Sequence, residues 1–150
     1  MNHFWIAVGM LALLALGNPL AAGEENAPLK IRWATLEKVT MVEKDGELVP
    51  EFSQELLDLQ GKTVQVEGYM LPLDAGITQL EFLLTSSATE SCEFCAPGGP
   101  VSYAGVNTVQ GEPIRVSLDR ILVQGRLELI YDDPLGLCYR LVEAVQIKKE

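Results

Sequence analysis

The chain has 150 residues, with 21 Asp and Glu against 11 Lys and Arg, giving a formal net charge of −10. So acidic a surface repels phosphate backbones, which argues against nucleic acid as a partner; solubility is the simplest use of the charge. There is one His, there are three Cys, and no D-x-D-x-D-G run occurs, so a His-rich metal centre and a calcium loop of that type are both excluded.

Residues 1–23 have the order of a secretory signal. A short start, Met1-Asn2-His3, carries no Lys or Arg. An apolar run from Phe4 to Leu16 follows, and Gly17-Asn18-Pro19 then stops any helix. The small residues Ala21, Ala22 and Gly23 predict cleavage near Ala22 or Gly23. The other reading is an uncleaved anchor, but the run falls short of the roughly 20 apolar residues of a span. The expected location is therefore periplasmic or secreted, with no stable membrane span after cleavage. Removal of the signal also removes His3, the only His. That excludes Ser–His and Cys–His pairs from the mature protein and leaves any metal to Cys, carboxylate or backbone ligands.

Residues 24–30 read as a flexible leader and residues 31–150 as a single domain, long enough to bury a core without disulfides. Ile31 to Leu36 is apolar enough to lie on that domain. Val39 to Val42 predicts a short strand and Asp45-Gly46 a turn. Ser53 is the N-cap of one short helix ending near Gly61. From there the period becomes two. Val64, Val66 and Gly68 alternate with Thr63, Gln65 and Glu67 in a strand running to Pro72. Leu80 to Thr85 predicts a second strand. Ser86 to Pro100 is irregular, and Val101 to Val109 predicts a third strand. Ile114 to Leu118 alternates, and Ile121 to Tyr131 is the longest candidate, with Gly125 as a bulge or bend. Asp132 to Gly136 turns the chain into a last strand, Leu137 to Ile147. The expected fold is mostly β: a small five- to six-stranded OB-like barrel with one short helix, or else an open sheet or sandwich. Trp33, Tyr69, Phe82, Tyr103, Tyr131 and Tyr139 are expected in its core or at its mouth.

The one segment with an evident reason to be chemical is Ser91-Cys92-Glu93-Phe94-Cys95-Ala96-Pro97-Gly98-Gly99-Pro100, with a third thiol at Cys138. Three uses compete. A C-x-x-C pair can exchange disulfides, as in a thiol-disulfide oxidoreductase, if its first thiolate is stabilised. Here Glu90 and Glu93 oppose a thiolate, and Pro97 to Pro100 bars a helix directly after Cys95. Alternatively, the pair is half of a metal knuckle for zinc or Cu(I), with Cys138 as third ligand and Glu90 or Glu93 in support. Finally, Cys92, Cys95 and Cys138 can supply a purely structural disulfide in a periplasmic scaffold, as exported cysteines most often do.

From Trp33 to Val145 the chain resembles a bacterial family of small exported proteins classed as a domain of unknown function. The matching residues are Trp33-x-x-Leu36, Leu59-x-Gly61-Lys62-x-Val64, Gly68-Tyr69-Met70-Leu71-Pro72-Leu73 and Phe82-Leu83-Leu84. Cys92-x-Phe94-Cys95 with Gly98-Gly99-Pro100, Val123-x-Gly125-x-Leu127 and Tyr139-Arg140-Leu141 complete the set. The resemblance implies a periplasmic or lipid-anchored binding or accessory role, in some members beside transporter components or in metal handling, rather than a reaction. No Cys follows the apolar run, so a lipid anchor does not carry over. Cys138 is not among the matching residues, so its role as ligand or disulfide partner rests on this sequence alone.

Overall fold

The computed structural model describes residues 27–88 and 99–148. Five strands close into a barrel: β4 (Thr63–Pro72), β6 (Glu81–Thr85), β7 (Tyr103–Thr108), β10 (Tyr139–Ile147) and β9 (Ile121–Leu129), which pairs back onto β4. All contacts in this ring are antiparallel except β7 with β10, which run parallel. A sixth strand, β1 (Leu29–Ile31), lies parallel to β4. The five-strand barrel with one added strand matches the OB-like expectation.

Closure is made possible by β4, which serves two neighbours in succession. Thr63 to Gly68 pair with β9, and Tyr69 to Pro72 pair with β6. The switch falls at Gly68, where Thr85 and Leu84 of β6 leave no room for a Cβ. The side chains of Val64, Val66, Leu84, Leu127, Leu141 and Tyr139 point inward and are fully buried. Each such apolar side chain contributes about 1.5–3 kcal/mol relative to exposure.

Two short helices lie outside the barrel. The expected helix is α2 (Gln54–Leu59), whose Ser53 Oγ accepts from the Leu56 amide at 3.4 Å. A further helical turn, α1 (Trp33–Leu36), was not signalled by the sequence because four residues carry no helical period. It is held by packing: Leu36 and Leu56 are fully buried, and Trp33 Nε1 donates to the Glu67 carbonyl on β4 at 2.8 Å. No helix among the described residues is long and apolar enough to cross a membrane.

Other differences have local causes. Leu29 and Lys30, read as the end of the leader, begin β1. The turn at Asp45-Gly46 joins β2 (Val39–Lys44) to a return strand, β3 (Glu47–Phe52). Pro50 masks β3 in the sequence, but a two-stranded sheet is all edge and accepts a proline. The bulge expected at Gly125 lies instead in the partner strand. Pairing slips between Val142 and Val145, where Glu143 takes φ 52°, and Gly125 receives the slipped backbone. A Cβ there would stand 3.0 Å from the Val142 carbonyl oxygen. Two remaining strands, β5 (Thr78–Gln79) and β8 (Ile114–Arg115), form a small ladder outside the barrel. A 3-10 turn, Gly99–Ser102, leads into β7.

Candidate functional site

The outer face of the barrel over β4, β6 and β7 carries an apolar groove of about 430 Å³. Alternation sets its floor. Leu71 pairs with Leu83 and Leu83 with Gly105, and because Gly105 carries no side chain the Leu137 side chain lies over it beside the two leucines. Tyr103 completes the floor, and Gly99 with Pro100 forms one wall. Leu73 stands on one flanking loop, Leu135 and Leu137 on the other. Leu73 and Leu135 remain 54% and 76% exposed, so among the described residues nothing of the fold fills this apolar surface.

Both flanking loops are held by internal hydrogen bonds. In loop 73–80, the fully buried Gln79 accepts from the amides of Leu73 (3.2 Å) and Asp74 (3.3 Å). Its Nε2 donates to Asp74 Oδ1 at 2.8 Å and to the Gly76 carbonyl at 3.0 Å. In loop 130–138, Asp133 Oδ1 accepts from the Leu135 amide at 2.8 Å, and Asp133 Oδ2 lies 3.6 Å from Arg140. Tyr131 packs edge-on against Phe52 of β3, with ring centroids 5.0 Å apart. The groove is therefore preformed, and a ligand would meet a surface that has already met its ordering cost.

Cys138 stands at the end of the second loop, directly before β10. It has no disulfide partner among the described residues and is 1% exposed. Burial, and secondarily the Asp133 carboxylate, push its pKa up, so it is held in the neutral, weakly nucleophilic form. A bound cation would reverse that preference by supplying its own charge. In a C92S/C95S variant Cys138 is the sole thiol. It is expected to react with iodoacetamide roughly a hundredfold more slowly in the native state than in urea. Equal rates would show the thiol to be accessible. Among the described residues no three His, Cys, Asp or Glu side chains are grouped to hold a metal. Cys92, Cys95, Glu90 and Glu93 lie outside the described residues, as do Ala22 and Gly23 of the cleavage region.

What the structure does bring to Cys138 is the stretch that follows the C-x-x-C loop. The Tyr139 hydroxyl donates to the Val101 carbonyl, and the Pro100 ring lies against Gly136. Gly99 to Val101 thus run beside the segment containing Cys138. Of the expected aromatics, Trp33, Phe82 and Tyr139 are in the core, and Tyr131 is half exposed. Tyr69 lies outside under Arg120, whose guanidinium is 5.5 Å from the ring centroid. The groove itself was not foreseen. Its one sequence signal is the pair Leu135 and Leu137 inside the Asp-Asp-Pro-Leu-Gly-Leu turn, where polar residues are the rule.

No protein-family model and no curated protein matches the chain. Among solved structures it is similar to a DUF3299 family protein from Pseudomonas aeruginosa PAO1, with a TM-score of 0.53 and 16% identity. The match covers 83% of this chain and 99% of that one. At this identity the likeness is one of fold, and the fold is shared with a protein of a family whose function is unknown.

Proposed function

We propose that the chain is an exported accessory domain of this kind of family, which binds rather than transforms its ligand and does so in the apolar groove of β4, β6 and β7. The preformed groove carries the reading: two cross-bonded loops present exposed leucines that the core does not use. The signal-like residues 1–23 support a periplasmic or secreted location, where the domain would serve a periplasmic or membrane transporter partner. Soft-metal handling at the thiols is the second part of the proposal. Cys95 is four residues from Gly99, which the extended chain spans in at most about 14 Å. The proposal has Cys92, Cys95 and Cys138 share one zinc or Cu(I) ion, and its support is that Gly99 begins the stretch lying beside the segment that contains Cys138.

The metal part predicts that protein isolated under reducing conditions carries about one equivalent of zinc or copper, and that C92S/C95S carries none. Substoichiometric metal, unchanged in the variant, would remove it. Should the pair instead show a fast-alkylating thiolate and a reduction potential above roughly −300 mV, the oxidoreductase reading replaces it. A Cys92–Cys95 bond resistant to reduction would assign a structural disulfide.

A further inference from the structure

We infer that the occupant of the groove is an extended polypeptide segment of a partner protein that carries apolar side chains next to Lys or Arg. The inference rests on the groove being the binding surface and adds what kind of ligand fits it. Beyond Leu73 the apolar groove continues into a second hollow of about 570 Å³, lined by Leu73, Leu80, Asp74 and Glu81. The two hollows adjoin at Leu73, which lines both, so the apolar and acidic surfaces are neighbours. Exposed Asp132, on loop 130–138, lines a separate hollow of about 210 Å³ together with Leu48 and Pro50 of β3. Neither flanking loop, 73–80 or 130–138, contains a Lys or Arg. Asp74, Glu81 and Asp132 form no ion pair among the described residues; Asp74 and Glu81 accept only neutral hydrogen bonds, Glu81 from Asn107 Nδ2 at 2.8 Å.

An apolar floor that meets two carboxylates without ion pairs, Asp74 and Glu81, is complementary to a ligand that is greasy along its length and cationic at one end. A second copy of this chain would bring −10 charges against the same face, and an anionic lipid surface or a polynucleotide would be repelled in the same way. A polypeptide offers alternating side chains at a spacing that fits an open track, with apolar anchors in the first hollow and a cation in the second.

The test is binding of three degenerate, fluorescein-labelled decapeptide pools to the purified full chain, read by anisotropy. One pool is Leu/Phe/Lys/Arg, the second replaces Lys and Arg by Glu, and the third replaces them by Ser. The cationic pool is expected to bind best, and its affinity to fall roughly three- to tenfold in D74N/E81Q and with added salt. Leu135→Glu, at an exposed position that leaves the core intact, is expected to weaken it by roughly tenfold or more; Leu83→Glu on the floor is the second variant. If all three pools bind alike and Leu135→Glu weakens them all, the groove binds but the cationic ligand is refuted. If neither leucine variant alters any binding, the groove itself is refuted. Absence of binding at millimolar peptide overturns the inference, as does a dimer dissolved by Leu135→Glu, which would make the occupant a second copy.

Discussion

Gly68→Ala is expected to destabilise the domain by about 3 kcal/mol or more, the largest effect of any single added methyl group in this fold. The new Cβ would stand 2.5 Å from the Thr85 carbonyl oxygen and 2.9 Å from Leu84 Cγ. The first contact is with backbone, which cannot rotate away as a side chain would. Gly68 is the last residue of β4 that pairs with β9, and Tyr69 the first that pairs with β6. Relief must therefore come from opening one of the two pairings that close the barrel. Since a domain of this size is stable by only about 5–15 kcal/mol, the loss is a large share of the whole. Urea unfolding followed by circular dichroism measures it, with a lowered midpoint. A loss below about 1 kcal/mol would mean that β4 and β6 do not approach as described.

Tyr139→Ala is expected to cost about 3–5 kcal/mol, because the ring is fully buried among Leu84, Leu127 and Leu141 in the barrel core. Tyr139→Phe separates the hydroxyl from the ring. It keeps the packing and removes the donor to Val101, at about 1 kcal/mol. The milder variant also acts at a defined place. The Val101 carbonyl belongs to the 3-10 turn that forms one wall of the groove. Hydrogen exchange at Val101 to Tyr103 should accelerate in Tyr139→Phe by more than the global loss dictates, while core amides of β9 and β10 accelerate only by that loss. Uniform acceleration across the barrel would show that the hydroxyl has no local role.

The same residue sets an alkaline limit. Burial, with the Cys138 and Glu37 charges after it, raises the Tyr139 pKa above the ordinary phenol range, so the folded state retains its proton more tightly than the unfolded chain. Stability from this source is complete below about pH 10, where the unfolded phenol titrates, and declines as the pH rises toward the folded value. Tyr139→Phe is less stable at neutral pH and should show a shallower decline above about pH 10.

The parts of this fold that were legible in the sequence are those where one face is buried along a whole strand. Val64, Val66 and Gly68 alternate because their odd-numbered neighbours face out. Ser53 announces α2 because its side chain caps the first turn. What was hidden is either short or assembled from distant pieces. The three residues of β1 are too few to show a period, and Pro50 disguises β3. The groove is drawn from Leu73, Pro100 and Leu135, each on a different loop, and none of their neighbours in sequence hints at the others. Cys138 was singled out as a thiol, but its burial and the neighbouring Asp133 carboxylate are properties of the folded state alone.

The double service of β4 has a consequence for how the protein comes into being. Its first half, Thr63 to Gly68, finds β9 only at Arg126 to Ile121, in antiparallel order. A growing chain can already set β1 against this strand, but its other edge, the one that closes the barrel, stays unpaired while more than fifty further residues are made. Such distant pairings form slowly compared with hairpins and helices, since loop closure precedes any gain from contact. Folding is then a late, all-or-none event, and fragments ending before Ile121 have no route to a stable barrel. For a polypeptide proposed to leave the cytoplasm, this delay keeps the barrel unclosed during the interval in which it would be translocated.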